Sequence, residues 1–353
     1  MFQQIMVPLD TSPRAELALP IAAQIARASG GSILLLQVVR SPIDFSGGLS
    51  PAPLITEQVI EADLAEGSAY LNEVAKSGVF AGIATTTEVL FGLPAQDILA
   101  VAESRSVDLI VMCSHGRTGF SRWVLGSIAH RIVHHSFIPV LVLRANKPML
   151  HIPRTDATRP LCALVPLDGS PLAETALIPA ANLVTALAAP APGALHLIQV
   201  VKHLSHTGDE GFTALLNKKA MERAKTYLAS VKECTKETLK DLKLSITWSI
   251  TNDSDVADTI IGTAEHGQQQ EGTEGAGGCD LIAMSTHGRG GWERLVMGSV
   301  TERVLSATRL PLLVVRPRQT GTTKSGGGER MSSGMQWSRH SDAGGEESAY
   351  AAN

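Results

Sequence analysis

Short runs of apolar residues, rich in Val, Ile and Leu, alternate along the chain with longer segments of helical periodicity. Runs of this kind indicate strands buried on both faces of a parallel sheet. The pattern predicts right-handed crossovers with helices on both faces of the sheet. Strands are expected near 3–9, 32–39, 83–90, 108–113 and 139–143, and again near 161–167, 194–201, 243–250, 280–285 and 311–315.

Two helix starts carry the same signal. Ser12-Pro13 and Ser170-Pro171 each place a hydroxyl cap before a proline at the first helical position. A second proline follows in each helix, Pro20 in the first and Pro179 in the second, and is expected to kink it.

The chain contains a long internal repeat. Residues 5–13 resemble 163–171, and residues 138–144 resemble 310–316. A period of this length indicates two tandem domains and not a solenoid. We place the domains at 1–146 and 161–317, joined by a Pro-rich linker at 147–160. Residues 267–278, polar and rich in Gly, are expected to form a mobile loop, and residues 318–353 a disordered tail.

Composition narrows the class of protein. The 353 residues carry a net charge of −4, so a nucleic-acid partner is not expected. The four cysteines are scattered, which disfavours a disulfide framework or a zinc cluster and fits a reducing cytoplasm. The N-terminus lacks the features of a secretory signal. The apolar stretch 183–201 is interrupted by Pro190 and Pro192, so we interpret it as helix, turn and strand and expect no membrane partner.

The candidate chemistry follows the first and fourth strands of each repeat. Asp10 and Asp168 end the first strands. After each fourth strand comes His-Gly-Arg. A gap of nine residues separates that glycine from Gly-Ser at the start of a helix. Glycine lets backbone amides approach an anion, and a helix N-terminus attracts phosphate. In the second repeat Ser299 and Glu302 also have the form of a capping box.

Simpler interpretations stay open. Each Gly-Ser loop could be an ordinary turn before a helix, and each aspartate a turn-forming residue. His130 and His134 have the i, i+4 spacing of metal ligands, but Glu302 and Ser306 stand at the matching positions, which favours a solvated face. Cys113 is interpreted as a small buried residue and not as a nucleophile. No P-loop motif is present, which disfavours an NTPase of that class.

Three motifs of each repeat together resemble those of the universal stress protein family in its tandem form, in its ATP-binding branch: V-P-L-D-x-S, H-G-R and the later G-S. The resemblance implies two doubly wound five-stranded domains, Rossmann-like and similar to adenine nucleotide alpha hydrolases. It also implies that 139–143 and 311–315 join the halves into an internal pseudo-dimer.

The family's roles transfer as expectations. The aspartates would hold the ribose or adenine end, the second-strand valines would line the adenine pocket, and the Gly-Ser pairs would bind phosphates with a divalent metal, Mg²⁺. The nucleotide-binding residues expected in the first repeat are Pro8, Asp10, Val38, Met112, His115, Gly116, Arg117, Gly126, Ser127 and Ile128. Those expected in the second are Pro166, Asp168, Val200, Met284, His287, Gly288, Arg289, Gly298, Ser299 and Val300.

One departure separates the hypotheses. The family's first motif glycine is replaced by Cys113 and Ser285, whose Cβ atoms could crowd the ribose. The leading hypothesis is a cytoplasmic, non-enzymatic stress protein that binds ATP. The alternatives are an interaction protein with vestigial sites, and a slow ATPase. A homodimer or a protein partner is compatible with each.

Overall fold

The computed structural model describes residues 1–40, 57–114, 125–144, 159–202, 210–267, 278–288 and 297–317. The expected tail at 318–353 lies outside the described residues, as do nearly all of the expected linker and of the loop at 267–278. The domain boundaries placed there stay predictions.

The first half alternates strands and helices as the apolar runs predicted. Its elements are β1 (Gln4–Leu9), α1 (Pro13–Glu16), α2 (Leu19–Ser29), β2 (Ser32–Arg40), α3 (Glu57–Ala75), β3 (Thr85–Gly92), α4 (Pro94–Ser104), β4 (Leu109–Cys113), α5 (Ser127–His135) and β5 (Val140–Leu143). A short 3₁₀ turn at Gly78–Phe80 precedes β3.

The second half repeats this order. Its elements are β6 (Leu161–Pro166), α6 (Pro171–Glu174), α7 (Leu177–Ala188), β7 (Gly193–Val201), α8 (Glu210–Thr238), β8 (Leu244–Asn252), α9 (Val256–His266), β9 (Leu281–Ser285), α10 (Ser299–Ala307) and β10 (Leu312–Val315). The predicted strand positions are confirmed to within two residues at each end.

The ten strands found among the described residues form one sheet, in the order β3-β2-β1-β4-β5-β10-β9-β6-β7-β8. Among these strands, pairing is parallel within each half and antiparallel between β5 and β10, where Leu313 lies opposite Leu141. The expected junction of the halves through their last strands is therefore confirmed. In each half the second and third strands lie on one side of the first strand, and the fourth and fifth lie on its other side. The boundaries between β1 and β4 and between β6 and β9 are therefore the switch points where folds of this kind bind ligands.

The central strands are buried on both faces, as their continuous apolar character requires. Successive residues of β1 pack into different cores on opposite faces of the sheet, Ile5 into one and Met6 into the other. One core takes in α2 and α7, and the other takes in α5 and α10. Because both cores run across the two halves, the halves share their hydrophobic interior.

The second prolines break the helices, where a kink was expected. In the first half α1 ends at Glu16 and α2 begins at Leu19, with Pro20 in its first turn. In the second half the chain breaks at the same place, before Pro179. In the first turn of a helix the backbone N–H groups have no helical partner, so a proline there loses no hydrogen bond. Starting a new helix at the proline is therefore less costly than bending one around it.

One helical stretch in the described part of the chain, Pro171–Ala188, is long and apolar enough to cross a membrane by length and composition. It consists of α6 and α7, half of it is buried, and α7 packs on α2 of the first half. Gln24 Nε2 on α2 donates a 2.6 Å hydrogen bond to the carbonyl of Leu187. These contacts are those of a core helix. The stretch from 183 to 201 is helix, turn and strand, as predicted.

Candidate functional site

A cleft opens where β1 and β4 end side by side, at the switch point of the first half. Its volume is about 400 Å³, within the size range of small-molecule sites. Seven of the ten residues predicted for this half line it: Pro8, Asp10, Val38, Met112, Gly126, Ser127 and Ile128. The other three, His115, Gly116 and Arg117, lie outside the described residues, as does Arg289 of the second half.

The acidic residue at the strand end is held by the turn that follows it. Asp10 Oδ1 accepts hydrogen bonds from the Ser12 amide at 3.1 Å and from the Ser12 hydroxyl at 2.6 Å. Asp168 Oδ1 accepts the same pair from Ser170, at 2.9 and 2.6 Å. The turn-forming role considered for these aspartates is therefore present. It fixes each carboxylate at the C-terminal end of its strand.

The same serines begin the next helix, as predicted. Ser12 Oγ accepts from the Ala15 amide at 3.2 Å, and Ser170 Oγ accepts from the Ala173 amide at the same distance. Between aspartate and serine the backbone turns left-handed, with φ +66° at Thr11 and +85° at Gly169. Glycine adopts this conformation freely, whereas a β-branched residue is strained in it. The first half therefore stores strain beside its cleft.

The Gly-Ser pairs open α5 and α10, as the sequence predicted. Gly126 and Gly298 are the N-caps, and neither helix has a side-chain cap. The Gly126 amide donates to the Ser114 carbonyl at 2.8 Å, and the Gly298 amide donates to the Thr286 carbonyl at 2.9 Å. Each helix start is thus tied to its fourth strand. Its first-turn amides point away from the helix and suit an anion.

The predicted capping box of the second half is wrong. The N-cap is Gly298, so Ser299 is already inside the helix. Glu302 instead reaches across the junction of the halves and contacts His130 and His134 of α5. Glycine in an extended conformation supplies the cap position, which leaves the glutamate free to form this distant contact.

The position of the missing motif glycine is filled by small buried residues. Cys113 is 7% exposed, and burial, followed by the nearby charge of Asp10, raises the pKa of its thiol to about 12. The thiol therefore stays protonated, in agreement with its interpretation as a packing residue. Ser285 is also buried, and its hydroxyl accepts from the His287 amide at 3.3 Å.

In the second half two of the predicted residues, Asp168 and Gly288, meet at the strand ends. A Cβ at Gly288 would lie 2.1 Å from Asp168 Oδ2, so this glycine and the aspartate are in direct contact. His287 Nδ1 lies 2.7 Å from the Thr286 hydroxyl. The two loops therefore meet here, as expected if β6 and β9 are neighbours.

Sequence reasoning missed several residues that line the cleft. Arg40, the last residue of β2, brings a cation to it, and Pro94 and Ile98 of α4 line the wall beside Val38. The internal repeat could have pointed to Arg40, because Lys202, at the equivalent position after β7, also carries a positive charge. A cation in both copies suits an anionic ligand.

The strand order and the cleft define the class of protein: two tandem, doubly wound, Rossmann-like α/β domains with a ligand-type crevice at the switch point. Known structures share this fold along most of the chain. A universal stress protein from Archaeoglobus fulgidus aligns with a TM-score of 0.56 at 20% identity, covering 90% of this chain and 97% of that one.

The family model for the universal stress proteins matches residues 1–144 and again 163–316. The chain therefore belongs to the universal stress protein family, in tandem form. One relative, a universal stress protein of Mycolicibacterium smegmatis, is 24% identical over 316 residues, which cover 89% of this chain and 97% of that protein. Another, from Methanocaldococcus jannaschii, is 35% identical over 148 residues, or 42% of this chain and 85% of the relative.

Proposed function

We propose that this universal stress protein binds an adenine nucleotide, ATP, at the switch point of each half as part of a stress response in the cytoplasm. One observation carries the proposal. The cleft of the first half joins a fixed carboxylate, Asp10, to the uncapped start of α5 at Ser127. A nucleotide needs both features, an acceptor for its sugar or base and a set of amides for its phosphates.

The lining divides by chemistry along the cleft. Val38, Met112 and Ile98 provide an apolar wall suited to the adenine ring. Gly126 and Ser127 offer backbone amides at the positive end of a helix, and Arg40 adds charge that would favour the phosphates. A Mg²⁺ ion would accompany the phosphates and complete their neutralisation.

We propose that ATP is a ligand and not a substrate. The thiol at the cleft, Cys113, is kept protonated by burial. Asp10 is committed through Oδ1 to two hydrogen bonds with Ser12, which suits a positioning role better than proton transfer. Binding would act by favouring one conformation of the chain over another.

A charge placed at the helix start tests the site. Ser127 is the first residue of α5 and its side chain is exposed. Ser127→Glu adds a negative charge that favours the helix but repels phosphate, while Ser127→Gln adds similar bulk without charge. Calorimetric titration of the full chain with Mg-ATP should show binding at two sites, of which the first-half site is weakened at least tenfold by Ser127→Glu and largely retained in Ser127→Gln. No binding to the folded wild-type chain, or equal affinity in both variants, would refute the proposal.

The aspartates are tested by an isosteric exchange. Asp10→Asn keeps the acceptor atom used by Ser12 but removes the charge, and Asp168→Asn does the same in the second half. We expect each to weaken one site without lowering the melting temperature. Asp63→Asn, on the exposed side of α3, is the matched control.

Two other functions make different predictions in the same experiment. Cys113 and Ser285 favour vestigial sites and a purely interacting protein, which would show no nucleotide binding at all. A slow ATPase would release phosphate in the wild type and lose that activity when Ser127→Glu is combined with Ser299→Glu, the equivalent change in the second half. Release that persists in the double variant would come from a contaminant.

A further inference from the structure

Two histidines and a glutamate meet where the halves join, and none of the three lines the proposed nucleotide cleft. His134 Nε2 lies 2.9 Å from Glu302 Oε2, and His130 Nε2 lies 3.3 Å from Glu302 Oε1. The two imidazole rings stack with their centroids 4.1 Å apart. One potential ligand atom from each of the three side chains lies within 4.8 Å of the other two.

The topology explains why these residues meet. His130 and His134 are four residues apart on α5 and so lie on one face of the helix. Glu302 stands on α10 at the position equivalent to His130. Because β5 and β10 pair antiparallel, the halves are related by an approximate two-fold axis, and equivalent residues near that axis face each other. Ser306 replaces His134 in the second half, so the axis carries one cluster of this composition and not two.

We propose that His130, His134 and Glu302 bind a divalent transition-metal ion, with Zn²⁺ as the representative, and that this ion links the two halves of the chain. Two imidazole nitrogens and a carboxylate are the ligands that zinc prefers. Mg²⁺ and Ca²⁺ take oxygen ligands, so they are not expected here.

The distances suit such an ion. With bonds of about 2.0–2.1 Å in tetrahedral geometry, neighbouring ligand atoms stand about 3.3 Å apart. Each histidine is close to that separation from one oxygen of the carboxylate, 3.3 Å to Oε1 for His130 and 2.9 Å to Oε2 for His134, so an ion would be held by both oxygens or by one of them after a small rotation of the carboxylate. Without a metal, each Nε2 lies within hydrogen-bonding distance of the carboxylate, and a bound ion would take the place of these two contacts.

Exposure leaves room for a fourth ligand. The side chain of His134 is 17% exposed, that of Glu302 38% and that of His130 45%. The cluster is therefore anchored on one side by protein and open on the other to water, which would complete the coordination. A positive charge, that of Arg316, also lies near the cluster. Its guanidinium donates a hydrogen bond to the His134 carbonyl at 2.9 Å and lies over the Phe137 ring.

The test uses the full chain, free of any polyhistidine tag, stripped with a chelator and titrated with Zn²⁺ in the absence of nucleotide. The thiols of Cys162 and Cys279, 3.2 Å apart, would also attract zinc, so Cys162→Ser serves as the common background. We expect one Zn²⁺ per chain at micromolar or tighter affinity, a raised melting temperature, and the visible absorption of tetrahedral Co²⁺ when cobalt replaces zinc.

Variants assign the ligands. His134→Gln and Glu302→Gln keep hydrogen-bonding groups in place but remove a good metal ligand, and each should weaken Zn²⁺ binding at least tenfold. His266→Gln, at the exposed end of α9, should leave binding unchanged. In the unsubstituted protein, Zn²⁺ should also protect His130 and His134 from acylation by diethylpyrocarbonate, a readout that does not depend on how the variants fold.

Three results would overturn the proposal: no saturable Zn²⁺ binding below 100 µM (a concentration set by the assay), the same affinity in His134→Gln and Glu302→Gln as in the background, or no protection from acylation. Any of them would leave the cluster as a hydrogen-bonded contact between the halves.

Discussion

The contact between Gly288 and Asp168 makes the meeting point of the two second-half loops sensitive to the addition of a single methyl group. In Gly288→Ala the new Cβ would lie 2.1 Å from Asp168 Oδ2, far below the 3.4 Å at which ordinary contact begins. The carboxylate cannot simply rotate away, because its other oxygen accepts two hydrogen bonds from Ser170. Relief therefore requires a backbone shift or the loss of those bonds.

The cost follows from these contacts. Forcing extra volume into a packed site typically costs about 1–3 kcal/mol, and a lost hydrogen bond adds about 1 kcal/mol. We expect Gly288→Ala to lower the free energy of unfolding by about 2 kcal/mol, measured by urea titration with an unchanged slope. Gly262→Ala is the matched control, because its Cβ would enter open space in α9 and should stabilise the helix by about 0.5–1 kcal/mol.

A double-mutant cycle isolates the cause. Asp168→Ala removes the carboxylate that the methyl group would strike, so Gly288→Ala should cost little in that background. The coupling between the two substitutions should account for most of the 2 kcal/mol expected above, within about 0.5 kcal/mol. The same cost with and without the carboxylate would refute this reasoning and place the strain elsewhere.

Three further predictions concern single residues. Burial lowers the pKa of His196 below its usual 6.5, so protonation penalises only the folded chain; stability should be unaffected well above pH 6.5 and fall as the pH drops below it. His196→Leu, matching Leu34 in the first half, should flatten that part of the melting-temperature profile, and an unchanged slope would contradict the assignment. Thr11→Gly should relieve the left-handed strain and raise stability by roughly 1 kcal/mol, whereas Gly169→Thr should lower it by a similar amount; two changes of the same sign would argue against strain. Cys113, with a pKa of about 12, should resist alkylation at pH 8 in the folded protein and react only on unfolding, as mass spectrometry of the modified peptide would show.

The strands were predictable because each is a continuous apolar run, and burial on both faces demands that pattern. The helix starts at Ser12 and Gly126 were predictable because local chemistry decides a cap. The junction between β5 and β10 came from the family resemblance, since periodicity carries no information on which edges meet. The break before Pro20 was missed because a proline indicates a disrupted helix without stating whether the helix bends or restarts.

The cluster of His130, His134 and Glu302 shows most clearly what could not be predicted from the sequence alone. From sequence, the match of His130 to Glu302 argued against a metal site, because the repeat did not conserve the histidine pair. In the fold that same match brings the two residues together, because equivalent positions face each other across the junction of the halves. Arg40 was missed for a related reason: its contribution depends on where β2 ends relative to β1 and β4.

The most direct measurement of the central claim is a crystal structure of the full chain grown with Mg-ATP. The account predicts adenine density beside Val38, the sugar near Asp10 and the phosphates against the first turn of α5 at Ser127. A nucleotide bound elsewhere, or a cleft without one at saturating concentration, would contradict it.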